Sequence, residues 1–144
     1  MLINYSQILK KNMLNVLKDV LKKVEKNGLL GGHYLYVTYK TNAKNVTIPA
    51  WLKKKYPEEM TIVIQYEFWN LKVLEDRFEI LLSFNNAKID LSIPYKSVIS
   101  FADPFANFGL KLNNDIVYSE LKKNKDIKNK KNNIVNFNEF KKLR

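Results

Sequence analysis

The spacing of apolar residues changes once along this chain, within residues 28–32, and that change constrains the fold more than any other feature. From Tyr5 to Asn27 the apolar residues recur at helical spacing, and Gly28 is the type expected just past a helix C-terminus. After Gly32 apolar and polar residues alternate, which is typical of strands with one buried face. The sequence therefore predicts an α+β fold, with one long N-terminal helix followed by a β-rich body.

The predicted helix has an apolar face of roughly 180°, wider than the ~100° stripe that a single packing partner requires. This width favours two partners, the helix's own sheet and a second copy of the chain. The alternative is a helix embedded entirely in its own domain. The residues predicted to form the dimer interface are Leu9, Met13, Val16, Leu17, Val20 and Val24.

Five short strands are predicted in the body, which indicates a small barrel or sandwich. They cover residues 33–40, 60–68, 78–84, 89–93 and 108–112. Between the first two, Pro49 stands near the start and Pro57 just past the end of a one- or two-turn helix, which we expect to cap one end of the barrel.

Two of these strands place a half-polar row on the face opposite the core. Val63 and Gln65 belong to this row in one strand, and Leu81 and Ser83 in the other. Such a row is ordinary solvated surface in most proteins, but an extended peptide can also lie on it.

The composition changes after Leu112. Residues 113–133 are mostly Asn, Lys, Asp and Glu, too poor in apolar residues to form a core, so we interpret them as a flexible linker with a reach of roughly 25 Å. Apolar residues return in segment 134–144, which resembles a peptide ligand carried by the protein itself. The alternative is a terminal helix docked on the body. The apolar residues of the segment are Ile134, Val135, Phe137, Phe140 and Leu143.

The net charge of +11 raises the question of nucleic-acid binding. Residues 1–112 carry +6 and residues 113–144 carry +5, and all cationic residues except Arg77 and Arg144 are lysine. Since the commonest specific base contact uses the arginine fork, base readout is disfavoured. A basic single-stranded nucleic-acid-binding β-barrel is kept as the alternative function. Its stacking residues would be Trp69, Tyr95, Phe101 and Phe105.

The residues needed for catalysis are scarce in this chain. It has no cysteine, and His33 is its single histidine, which excludes a thiolate zinc site, a cysteine nucleophile and any pair of imidazole ligands. The serines lack a G-x-S-x-G context, and the glycines match no phosphate-binding motif. We therefore expect a protein that is not an enzyme and has no metal or cofactor.

The N-terminus argues against export. Lysines and asparagines interrupt what would have to be the apolar core of a signal peptide, and no run of eighteen apolar residues occurs. We expect a cytoplasmic protein without a membrane partner.

Six short strings along the body resemble one family in their order and spacing. They are YPEEMTIVIQ (56–65), FWNLKV (68–73), LSF (82–84), LSIPY (91–95), FADP (101–104) and FGL (108–110). The family is stringent starvation protein B in its alphaproteobacterial form, an adaptor that delivers tagged substrates to the ClpXP protease. Two departures are Asn70, where the family pattern has aspartate, and a basic linker where acidic tails are common.

The resemblance implies a helix followed by a five-stranded Sm-like or SH3-like β-barrel, a homodimer joined through the helix, and a groove that binds the ssrA degron without catalysis. Residues 1–112 would form the degron-binding domain, 113–133 the linker and 134–144 the protease-binding peptide. The expected groove residues are Val63, Gln65, Trp69, Leu81, Ser83, Phe101 and Phe105. The residues expected to bind the N-terminal domain of ClpX are Ile134, Val135, Phe137, Phe140, Lys141, Lys142 and Leu143.

Overall fold

A computed structural model describes residues 2–29 and 31–111 of the chain. Helix α1 (Tyr5–Asn27) has the predicted bounds. At its start, the Oδ1 atom of Asn4 accepts a hydrogen bond of 3.0 Å from the backbone N–H of Gln7. At its end, Gly28 has a φ of +74° and its N–H donates to the carbonyl of Val24 at 2.7 Å. Both ends of the helix are thus determined by local sequence.

Seven strands and one short helix follow α1. They are β1 (Leu35–Lys40), α2 (Ala50–Lys55), β2 (Glu59–Ile64), β3 (Phe68–Val73), β4 (Arg77–Phe84), β5 (Ala87–Pro94), β6 (Val98–Asp103) and β7 (Phe108–Lys111). All pairings are antiparallel, in one sheet of order β2-β1-β6-β7 and a second of order β3-β4-β5. The prediction of a five-stranded barrel is therefore wrong: the described residues form two separate sheets of seven strands in total.

The sequence pattern missed β3 and β6 for different physical reasons. In β3 the pairing with β4 shifts between Trp69 and Lys72, and Asn70 has a φ of +54°, so the alternation breaks. Asparagine and aspartate both tolerate this left-handed conformation, so Asn70 is compatible with the fold in place of aspartate. Strand β6 lies between β1 and β7 and has both faces largely buried, so its residues do not alternate between apolar and polar.

Both sheets and α1 contribute to one hydrophobic core. Two polar contacts help hold α1 on β3 and the turn after it. A carboxylate oxygen of Glu25 accepts a 2.8 Å hydrogen bond from the N–H of Val73, and Lys18 donates to the carbonyl of Glu75 at 3.0 Å. The helix therefore covers the core from the side of the second sheet.

The packing of α1 bears on the residues predicted for the dimer interface, which stays a prediction. Met13, Leu17 and Val24 are buried against the protein's own core, and Leu9 and Val20 are half-buried against it. These five residues do not form a free surface, whereas Val16 is exposed. The apolar residues exposed on α1 and just before it are Leu2, Ile3, Tyr5, Ile8 and Val16. The wide apolar face is thus divided between a core-facing row and a solvent-facing row.

The predicted linker 113–133 and the predicted protease-binding segment 134–144 lie outside the described residues. Within residues 2–29 and 31–111, no helix combines the length and apolar character that crossing a membrane requires.

Candidate functional site

A groove of about 430 Å³ follows β2. Its lining comes from β2 and the bend after it, from the end of β4, and from the residue that ends α2. The lining residues are Tyr56, Met60, Thr61, Val63, Gln65, Tyr66, Glu67, Leu82, Ser83 and Phe84. Since no residue of β1 contributes, the groove lies at the outer edge of β2 and not over the middle of the sheet.

Two strand edges border the groove. Among the described residues, β2 pairs with β1 along one side, and its other side faces the groove. On β4, the pairing with β3 ends at Leu82, so Ser83 and Phe84 extend past the start of β3. An edge presents backbone N–H and C=O groups that another extended segment can pair with.

The side chains of the groove follow from the alternation in β2. Met60, Ile62 and Ile64 point into the core, and the half-buried Thr61, Val63 and Gln65 point outward. The outward row combines an apolar side chain with polar ones that can hydrogen-bond. It can therefore hold apolar side chains of a ligand and still stay hydrated when empty.

The two ends of the groove differ in charge. Just before β2, the ammonium group of Lys55 lies 5.7 Å from the centroid of the Tyr56 ring. At the far end, in the bend between β2 and β3, lie Tyr66, which is 85% exposed, and Glu67. Lysine thus lies at one end, close to the exposed Glu58 and Glu59, and the other end has Glu67.

The structure brings three of the predicted groove residues together: Val63, Gln65 and Ser83. Leu81 and Trp69 lie outside this lining. They are register partners on β4 and β3, and the ammonium group of Lys88 lies 4.5 Å from the centroid of the Trp69 ring. Trp69 and Leu81 therefore form a patch next to the lining, and Lys88, the register partner of Ser83, links the patch to the groove.

The two predicted phenylalanines also lie elsewhere. Phe101 is 1% exposed and belongs to the core, so it is not available to a ligand. Phe105 is exposed in the turn after β6, with its ring centroid 4.7 Å from that of His33. The Nδ1 atom of His33 in turn lies 2.6 Å from a carboxylate oxygen of Asp103. Because Phe101 and Tyr95 are buried, the four aromatics proposed as a stacking platform share no surface.

Sequence reasoning missed the residues at both ends of the groove. Tyr56 falls at the end of the predicted capping helix and Phe84 at the end of the predicted strand 78–84, and neither position indicates a ligand contact. Tyr66 and Glu67 were placed inside one long strand, which the structure divides at this point. A large aromatic residue beside a charged one at a bend between strands is the signal that could have identified Tyr66.

The family model described as stringent starvation protein B matches residues 7–141. The chain belongs to this family. The match covers nearly all of α1, both sheets and every lining residue of the groove. It continues past Lys111 into most of segment 134–144. The comparison with individual curated proteins gave no match.

Proposed function

We propose that the protein is a specificity adaptor that binds ssrA-type degron peptides in the β2 groove and tethers them to the ClpXP protease. Family membership supports the adaptor role. The observation that carries the peptide-binding part is the groove between two open strand edges, because an extended peptide can bind such an edge as an added strand.

Strand addition explains how this groove would combine affinity with specificity. The six residues of β2 span about 20 Å in extended conformation, enough to pair with a peptide of similar length. Backbone hydrogen bonds contribute affinity for any extended sequence, and pockets for alternate side chains contribute selectivity. Val63, Gln65 and Ser83 would line those pockets.

In this role the protein binds and delivers its substrate and catalyses no reaction, so it needs no metal or cofactor. His33, the single histidine, contacts Asp103 on β6 and Phe105 just after it, and it is not among the residues that line the groove.

The tether would act through effective concentration. A linker of residues 113–133 has an expected reach of roughly 25 Å, and segment 134–144 would bind the N-terminal domain of ClpX. Once that segment is bound, a degron in the groove is held near the protease at roughly millimolar effective concentration. Two weak contacts then act as one stronger contact.

We also propose a homodimer in the cytoplasm, formed through the exposed row of α1 and not through its core-facing row. Tyr5, Ile8 and Val16 expose apolar surface on that side of the helix. A dimer would present two grooves and two tethers to one protease.

A pair of arginine substitutions on β4 tests the groove. Ser83→Arg places a long cation in the groove, and we expect it to weaken binding of a fluorescein-labelled ssrA degron peptide at least tenfold in an anisotropy titration. Leu81→Arg is the matched control, since Leu81 lies on the same strand two residues away but outside the lining. It should leave affinity within about twofold.

Equal loss in both variants would show that the peptide lies across the Trp69 patch, and unchanged affinity in both would remove the β2 groove as the site. An oligothymidylate in place of the peptide tests the alternative function. Tight, steeply salt-dependent binding of the oligonucleotide would favour a nucleic-acid-binding protein.

A further inference from the structure

Helix α2 presents one face to solvent that the groove lining does not include. Leu52 is 1% exposed and anchors the helix in the core. Residues three and four apart share a helix face, so Trp51 lies on the same side as Lys54 and Lys55. Trp51 is 49% exposed, and both lysines are exposed. We call these three residues the α2 face.

The α2 face is continuous with the groove through Tyr56. The N–H of Tyr56 donates to the carbonyl of Leu52 at 2.9 Å, and its own carbonyl accepts a hydrogen bond from the Thr41 hydroxyl. These two bonds fix the residue that ends α2 as the first lining residue of the groove. The Lys55 ammonium, 5.7 Å from the centroid of the Tyr56 ring, therefore lies beside this end of the groove.

The charges of the α2 face remain available to a ligand. Within the part of the chain that the structure describes, the ion pairs involve Lys18, His33 and Arg77, and none includes Lys54 or Lys55. Nearby acidic residues are Glu58 and Glu59, and Glu59 is the register partner of Lys40 on β1. The acid of the groove itself, Glu67, lies at the opposite end of β2.

We propose that the α2 face is a second contact for the peptide in the groove, and that it selects substrates with acidic residues flanking the degron. This inference rests on the proposed function. Carboxylates of the flank would pair with Lys54 and Lys55, while Trp51 covers an apolar or aromatic neighbour in the flank. These ion pairs would add to the affinity that the groove provides. Their contribution falls as the salt concentration rises, because salt screens the charges.

Three versions of the labelled degron peptide test the inference. One has the acidic extension Glu-Ser-Glu-Ser before the degron, one has it after, and one has Gln-Ser-Gln-Ser at both ends. We expect one acidic version to bind about three- to tenfold tighter than the neutral version at low ionic strength, as two exposed ion pairs allow. The end that gives the gain also reports the direction of the peptide in the groove.

The K54E/K55E variant should abolish that gain, so that neither acidic version binds it more tightly than the neutral version does. The matched control is K11E/K22E, which makes the same charge change on an exposed side of α1 and should retain the gain. At about 1 M salt, where the Debye length is about 3 Å, the three peptides should bind alike.

The outcomes separate the two proposals. If the neutral peptide binds but neither acidic extension helps, or if K11E/K22E removes the gain as well, the α2 inference is wrong and the groove stands. If the neutral peptide does not bind at all, the proposed function fails. An oligothymidylate can be added as a competitor of the acidic version of the labelled peptide. If it removes the gain in affinity at lower concentration than an unlabelled acidic peptide does, the α2 face is a nucleic-acid contact.

Discussion

The hydroxyl of Tyr39 lies in the core, where its nearest polar partner is the sulfur of Met60 at 3.6 Å. Burial raises the pKa of Tyr39 well above its usual value, because the tyrosinate form would lose its hydration. In the unfolded chain the group ionises near pH 10. Its contribution to stability is therefore complete below pH 10 and is lost as the pH rises above that value towards the folded-state pKa.

Tyr39→Phe removes this ionisable group. We expect the variant to change the free energy of unfolding at pH 7 by about 1 kcal/mol or less, since the hydroxyl makes one weak bond. Between pH 7 and pH 11 the variant should lose less stability than the unsubstituted protein, as measured by urea unfolding at each pH. Parallel losses in the two proteins would mean that Tyr39 ionises as easily folded as unfolded.

The residue pattern predicted orientation well where a strand has one buried face. Alternation in β2 placed Val63 and Gln65 outward, and the structure has them there. It could not place Phe101, because β1, which pairs with β6 on one side, and most of the core residues around Phe101 come from distant parts of the chain. The separation of Leu81 from Ser83 also depends on where β3 ends its pairing, which local sequence does not encode.

At the scale of elements, α1 divides its apolar residues between two environments, and neighbouring positions on it should respond differently to substitution. Leu17 is fully buried, and Val16 is exposed. The helix bounds followed from its periodicity and from Gly28 at its C-terminus. Its rotation about its own axis did not, because the sequence cannot tell which part of a wide apolar face meets the protein's own sheets.

Leu17→Ala should lower the free energy of unfolding by about 3 kcal/mol, as expected for a large-to-small change in a packed core. Val16→Glu is the comparison on the exposed row. We expect it to change the stability of the folded monomer by about 0.5 kcal/mol or less, but to convert the proposed dimer to a monomer. Urea unfolding at low protein concentration measures the first effect and light scattering the second.

A stable Leu17→Ala variant would contradict the packing of α1 on the core. If Val16→Glu remains dimeric, the proposed interface lies elsewhere on the molecule. Each variant therefore tests one side of the helix independently of the other.

At the scale of the whole molecule, the net charge of +11 is divided almost equally between the body and residues 113–144. The charge is therefore as much a property of the predicted tether as of a binding face. On the body, the proposed binding surfaces that carry charge are the α2 face and the end of the groove beside it. The proposed degron groove lies on the body and the proposed protease-binding peptide is segment 134–144. We therefore expect degron binding and protease binding to be separable.

Deleting residues 134–144 should separate them. Because the described residues that line the groove all lie within 56–84, the truncated protein should bind the degron peptide with unchanged affinity. It should lose stimulation of ClpXP degradation of a degron-tagged fluorescent protein at substrate concentrations well below KM, where avidity matters most. At saturating substrate the degradation rates with the full-length and the truncated protein should become equal, because the effective concentration of substrate near the protease no longer limits the rate. Stimulation by the truncated protein at low substrate would show that the protease is bound by another surface, and lost degron binding would show that the segment belongs to the groove.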